Sequence, residues 1–331
     1  MIRTLVVYDS RYGSTEEVAR TLSLILGPSD AVKVGEIQPE HRRFDLFVLG
    51  APVYKGVISP NLWNFVRENL SWLREKKIAL FTTSIDRKDG ETNLESLKKM
   101  IGDSVFLSRA LGGRMCIERL SSNDLLGMES FCKRKGFLLQ DIDTLVGEEV
   151  VEFGLEIKRS RDMISPRMPV NELRRLIDAF LASHNTCTLA TGYGSRVRAT
   201  PLEYLYRNGS IYFLSEGGEK FANIVLNDRV SVAVYDPYES MRDVAGIQLS
   251  GRACFVEMGS EEYSDVLRQK GISQTTISSL PVRLHMVKIV LERAELLCAR
   301  LKSRGYEITQ IYDFPEFGAT GSGQAQSHHI V

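Results

Sequence analysis

The 331-residue chain has no surplus of either charge: Lys plus Arg and Asp plus Glu each total 42, so the formal net charge is zero. A bulk electrostatic drive toward nucleic acid is therefore absent, and no nucleic-acid partner is expected. No run of about 18 apolar residues occurs, so no membrane span is expected. Met1-Ile2-Arg3 leads straight into a strand-like stretch with no signal peptide before it, which predicts a cytoplasmic location. The five cysteines (Cys116, Cys132, Cys187, Cys254 and Cys298) are odd in number and never in C-x-x-C. That argues against a disulfide framework or a zinc site and for free thiols in a reducing compartment. No Ser-His-Asp or Cys-His set has supporting context, and no cluster has metal-ligand spacing. His328-His329 is only an adjacent pair near the end of the chain. No catalytic side chain and no metal site is identified.

What the chain does contain is ordinary globular material, 43% apolar and 25% charged, in a length that suits two domains. The most informative stretch comes first. Leu5-Val6-Val7-Tyr8 reads as a strand and Asp9-Ser10-Arg11-Tyr12-Gly13-Ser14-Thr15 as a turn, while Val18, Leu22, Ile25 and Leu26 recur at helical spacing. A helix N-terminus offers unpaired N–H groups and a partial positive charge, which suit a phosphate. The same residues also read as a plain helix start capped by Ser14 or Thr15. No Gly-Lys-Ser/Thr closes the turn and no spaced glycines follow it, which excludes a P-loop and a dinucleotide fingerprint.

Strands are expected at Ala31–Ile37, Phe44–Gly50, Lys77–Thr83 and Val105–Cys116, and helices at Ser59–Leu70, Thr92–Ile101 and Ser122–Lys135. A further helix is read over Ile142–Ile157, with Ile142, Leu145, Val146, Val150, Phe153 and Ile157 as its core stripe. This rhythm predicts a doubly wound parallel α/β sheet, whose ligands sit beyond the carboxyl ends of the strands. Two further strand ends, Gly50–Gly56 and Thr82–Lys88, should then share a pocket with the turn. Tyr54, the only aromatic in either, is read as a platform for a planar ring or as packing at the loop base.

Ser10-x-Tyr12-Gly13-Ser14-Thr15 directly after a first strand resembles the FMN-phosphate loop of the flavodoxin family. Gly50-Ala51-Pro52-Val53-Tyr54-Lys55-Gly56 and Ser84-Ile85-Asp86-Arg87-Lys88 are most similar to the subgroup of the menaquinone-linked protoporphyrinogen oxidase, over roughly residues 1–155. The resemblance implies FMN held by Ser10, Arg11, Tyr12, Gly13, Ser14 and Thr15. Pro52, Val53, Tyr54, Lys55 and Gly56, with Thr83 and Ser84, would surround its ring. Two departures stand out: the third loop has no aromatic, which predicts an open ring face, and the chain is not acidic.

The segment Lys158–Pro169 is charged and then proline-punctuated. It places the first domain at 1–160, a linker at 161–169, a second domain at 170–312 and a flexible tail at 313–331. Lys158, Arg159 and Arg161 are read as a solvated helix end. Beyond a helix at Asn171–Ala182, short strands are expected at Thr186–Thr191, Arg198–Tyr206, Ser210–Ser215, Val230–Tyr235 and Ile247–Val256. With a helix at Glu219–Leu226 and a strand pair at Val282–Leu297, they suggest an antiparallel barrel. A dianionic phosphate needs cations and hydroxyls, and Arg198, Lys220 and Ser215 are candidates to converge on one.

Arg196-Val197-Arg198-Ala199-Thr200-Pro201, Ile211–Ser215, Gly218-Glu219-Lys220-Phe221-Ala222-Asn223 and Gly246–Arg252 are similar to the pyridoxamine-phosphate-oxidase-like FMN-binding split barrels, over roughly residues 168–300. The resemblance implies a phosphate site at Arg198 and Lys220, with Arg196 and Ser215 also cofactor-binding, flavin lining from Ala199, Thr200 and Pro201, and Gln248 reaching the ring edge from the neighbouring subunit. It also implies a homodimer. The vitamin-B6 enzyme's Arg-x-His is not recognisable near the C-terminus, and in Arg283-Leu284-His285 the histidine is read as structural. The function implied is that of an FMN-dependent oxidoreductase or internal electron relay with two FMN per chain and NAD(P)H as a candidate donor. Its partner would be a redox protein or a small-molecule substrate. Two alternatives stay open: FMN in one domain only, with haem or a deazaflavin in the barrel, or a sensor or storage module without turnover.

Overall fold

A computed structural model describes residues 2–136 and 138–315. The chain divides into two compact units, Met1–Ser165 and Pro166–Val331.

The first unit is built on a parallel sheet. Its strands are β1 (Thr4–Tyr8), β2 (Ser29–Lys33), β3 (Leu46–Tyr54), β5 (Lys77–Ser84) and β6 (Val105–Gly112), in the spatial order β2-β1-β3-β5-β6. A two-residue strand β4 (Val57–Ile58) folds back on the end of β3. β3 and β5 are apolar and buried along nearly their whole length, as strands covered on both faces must be. The covering helices are α1 (Ser14–Leu26), α2 (Pro60–Glu68), a single turn α3 (Leu70–Leu73), α4 (Arg87–Ile101), α5 (Ser122–Lys135) and α6 (Gly147–Ile164). Ser59 caps α2 by accepting from the Asn61 N–H, with Pro60 at the first helical position. One core, around Phe47, Leu49 and Leu80, lies on one face of the sheet; the other, around Val48, Phe81 and Phe153, lies on the opposite face.

Three expectations for this unit are corrected. Ile142 belongs to a short strand β8 (Ile142–Asp143), paired with β7 (Arg114–Met115), and α6 starts only at Gly147, so Ile142, Leu145 and Val146 are not part of the helical stripe. Second, β2 ends at Lys33, and Val34–Glu36 form a 3-10 turn. Third, Arg161 is not solvated: it is 6% exposed and donates to the carbonyl of Leu26. α1 has no basic residue in its own last turn, so an arginine from α6 satisfies its final carbonyls.

The second unit is a curled antiparallel sheet of eight strands. They are β9 (Thr186–Tyr193), β10 (Arg196–Glu203), β11 (Leu205–Arg207), β12 (Ser210–Ser215), β13 (Arg229–Tyr235), β14 (Ala245–Val256), β15 (His285–Cys298) and β16 (Thr309–Asp313). The path runs β10-β9-β13-β14-β15-β12-β11, with β16 on β15. β13 alternates buried valines with outward polar residues, which sets its inward face. α7 (Val170–Ser183) packs Leu173, Ile177 and Leu181 into the barrel core, and α8 (Glu219–Leu226) follows β12.

The expected strand pair at 282–297 is one continuous strand, β15, which begins at His285; Arg283 lies before it. Two helices had not been expected, α9 (Glu261–Gln269) and α10 (Gln274–Ser278). Most of the expected tail, with His328-His329, lies outside the described residues.

Candidate functional site

The chain crosses from β1 to β2 on one side and on to β3 on the other, so the connections leaving the paired strands β1 and β3 diverge at their carboxyl ends. The loops leaving β1, β3, β5 and β6 border an open cleft there, about 800 Å3 with its solvent-filled mouth included. Arg11, Tyr12, Ser14, Thr15, Pro52, Val53, Tyr54, Lys55, Gly56, Thr83 and Ser84 all line it, so these sequence-predicted residues are brought together.

Local bonding explains the shape. Gly13 sits at φ +99° and precedes α1, whose first backbone bond runs from Glu17 N to Gly13 O at 2.9 Å. The N–H groups of residues 14–16 come before that bond and face outward from the helix start. Neither Ser14 nor Thr15 caps the helix: Gly13 is the N-cap, without a side-chain bond. The Ser14 hydroxyl instead accepts from Arg114 N at 3.1 Å, and the buried Thr15 hydroxyl pairs with Thr83 at 2.7 Å. Ser10 Oγ accepts from Gly13 N at 3.1 Å, which tightens the turn. Lys55 and Gly56, at φ +57° and +90°, form the two-residue turn between β3 and β4 that presents Tyr54. The Tyr54 hydroxyl accepts from Arg11 N at 3.2 Å, and its ring meets Tyr12 edge-on at 5.9 Å. Burial pushes the Tyr54 phenol up, so it stays neutral. Thr82 Oγ1, on β5 beside Gly90 of α4, lies buried without a partner.

Sequence reasoning missed one whole side of this cavity. Arg114, Met115 and Cys116, on and just after β7, and Leu120, Asp124, Met128 and Phe131 on and before α5, also line it. The fourth strand end could have been found from the rule that parallel strands share one edge. Asp124 could not, because its partners lie more than a hundred residues away in Arg11 and Tyr12. Phe131 and Met128 add apolar side chains to the lining that the three loops alone do not supply.

In the barrel, Arg198 on β10 is ion-paired with Glu219 at the start of α8. Lys220 Nζ donates to Gly217 O at 2.6 Å. Burial, and Arg198 beside it, pull the Lys220 ammonium below its ordinary value. The two cations are thus neighbours, with Ser215 at the end of the adjoining β12, opposite His285. The His285 ring packs edge-on against Phe221 at 5.9 Å. Thr200 Oγ1 is buried without a partner, while Ala199 and Pro201 are exposed on the same edge strand. Arg196 lies further along, its guanidinium over the Tyr193 ring. Gln248 stands apart from this group, exposed in a groove with Tyr235, Tyr238 and Glu295.

Among the described residues no three His, Cys, Asp or Glu side chains are grouped to hold a metal, and no helix is long and apolar enough to cross a membrane.

Two family models match the chain. One, described as a flavodoxin domain, covers residues 5–133; the other, described as pyridoxamine 5'-phosphate oxidase, covers residues 173–298. No curated protein matches. Similar solved structures include HutZ, a haem storage protein from Vibrio cholerae, at 19% identity and TM-score 0.31, over 36% of this chain and 90% of that one. ChuZ from Campylobacter jejuni is 17% identical at TM-score 0.36, over 58% and 80% of the two chains. A FAD-binding protein from Mesorhizobium loti is 20% identical at TM-score 0.31, over 40% and 96%. At these scores the likenesses carry no functional argument.

Proposed function

We propose, for a chain that joins a flavodoxin-like domain to a pyridoxamine-5'-phosphate-oxidase-like split barrel, that it is a flavin-dependent oxidoreductase with one FMN in each domain. The observation that carries the reading is the single cavity shared by the Ser10–Thr15 loop, the Tyr54–Gly56 turn and the Thr83-Ser84 strand end. A hydroxyl-rich helix start, an aromatic held by its hydroxyl and an apolar wall match the three parts of FMN: phosphate, ring face and dimethylbenzene edge.

When bound, the flavin supplies the electron-transfer chemistry, and the protein positions and tunes it. Residues 14–16 present N–H groups and the positive end of α1 to the phosphate. Arg11 adds a cation, and Thr15, fixed by Thr83, keeps the loop in register with β5. Tyr54 offers its ring face, and Met128 and Phe131 keep water from the opposite side. In the barrel, Arg198 and Lys220, now in contact with Glu219 and the Gly217 carbonyl, are the residues that would hold a second phosphate. A homodimer fits the edge strand β10, whose Val197 is 84% exposed, and it would bring Gln248 of a second copy to that flavin.

One observation favours a second reading, in which only the N-terminal domain keeps FMN: both barrel cations are already engaged within the chain. The absorption spectrum of protein reconstituted with FMN, before and after NADPH, tests the function. Flavin bands that bleach on addition of NADPH support an oxidoreductase. Bands that no reductant of this class bleaches leave a binding module, and a Soret band on adding haem assigns the barrel to haem.

A further inference from the structure

α5 is attached unlike the other walls of the first cavity. The other walls are loops continuous with β1, β3, β5 and β6, anchored in the sheet. α5 instead packs its Met128, Phe131 and Cys132 with Met115 into a small satellite cluster, separate from both cores that flank the sheet. Charge holds it at each end. At its first turn, Asp124 accepts the Tyr12 hydroxyl at 2.5 Å, pairs with Arg11 at 2.7 Å and with Lys55 at 3.3 Å. At its last turn, Lys135 pairs with Asp86 at 2.6 Å and with Asp89 at 2.8 Å. Both sets of partners lie on the loops that border the cavity or at the start of α4. Between the two clasps, Met128 and Phe131 face the cavity.

We infer that α5 is a lid over the flavin pocket, fastened by these two ionic clasps, and that it must unfasten for FMN to enter or leave, with Asp124 and Lys135 as its positioning residues. The inference rests on the FMN reading of this pocket. Three considerations support it. The planar ring must pass between the lid and the Tyr54 turn, because the remaining walls are fixed in the sheet. The clasp partners Arg11, Tyr12 and Lys55 belong to the same loops that would hold FMN, so closing the lid and ordering the binding loops are one event. Finally, α5 gives up only a satellite cluster on opening, and the cores around Leu49 and Phe81 stay intact.

Partly exposed ion pairs weaken with salt, whereas an apolar hinge does not. The test uses the full chain with Arg198→Ala and Lys220→Ala, so that the N-terminal pocket alone retains FMN, and follows release by the recovery of flavin fluorescence. Raising NaCl from about 50 to about 500 mM should speed release several-fold in this parent, because the screening length shortens about threefold and partly exposed ion pairs weaken with it. Asp124→Asn with Lys135→Gln should speed release about tenfold at low salt, the sum of two exposed ion-pair contributions, and should abolish the salt effect. Asp124→Glu should restore slow, salt-sensitive release. A parent that holds FMN but releases it at one rate at both salt concentrations overturns the lid and leaves the flavin site standing; that measurement needs no clasp variant to fold. A parent that takes up no FMN overturns the flavin site and the lid together.

Discussion

At Gly13 the backbone takes φ +99°, a region where a side chain costs about 1–3 kcal/mol. Nothing lies within 4 Å of where its Cβ would stand, so the penalty is conformational and not steric. Gly13→Ala should lower stability by about 1–2 kcal/mol in urea denaturation and weaken FMN binding at this pocket. Gly50 is the opposite case: a Cβ there would come within 2.0 Å of the Phe81 ring. Gly50→Ala should cost about 1–3 kcal/mol through overpacking, although its φ is ordinary. Arg161 was legible only as one of a basic run. Its burial depends on a carbonyl at the end of α1, 135 residues earlier, which no local pattern marks. Arg161→Met should destabilise by about 1–3 kcal/mol, because the methionine leaves that carbonyl without a donor. A thermal midpoint unchanged from that of the parent would contradict this reading of Arg161. Burial pushes the Cys187 thiol up to about 12. The thiolate fraction at pH 8 is then on the order of 10⁻⁴, so the folded protein should leave Cys187 unalkylated by iodoacetamide.

At the scale of elements, the strands that alternate or run apolar were readable, because burial on one or two faces imposes a period. β12 and α8 fall where their residues predict. α9 and α10 were not readable: α9 buries only Tyr263, Val266 and Leu267 under many charges, and α10 is a five-residue turn. The same holds for the site. The Ser10–Thr15 loop announced itself by composition, whereas the α5 wall did not, since its contribution consists of two side chains and an ion pair across distant sequence. Two predictions belong here. Glu219→Gln frees Arg198 from an exposed pair, its partner side chains being 48% and 76% exposed, and should tighten FMN binding to the barrel by up to about fivefold. Hydrogen bonds from Tyr12 and Ser121, with Lys55 and Arg11 beside it, hold the Asp124 carboxyl below the usual carboxylate range, and Lys135 does the same to Asp86. Both folded values are depressed, so the clasps are complete above about pH 4, the ordinary carboxylate value, and are lost as pH falls through the lower folded values. FMN release should therefore accelerate in acid below about pH 4, where the clasps are lost; a step near pH 6 would report the second ionisation of the FMN phosphate and not the clasps.

For the whole molecule, the division into a parallel α/β unit and a curled antiparallel unit was legible because each half keeps its own periodicity and turn chemistry. The pairing of β10 at the open edge, and the engagement of Arg198 and Lys220 with Glu219 and Gly217, were not, since they depend on how the sheet curls. The central claim is that each unit holds its own flavin, and counting flavin per chain tests it most directly. After saturation with FMN and removal of the excess, acid release should yield two FMN per chain, one of which disappears with Arg198→Ala and Lys220→Ala while the other remains. A count of zero or of one FMN per chain would contradict it.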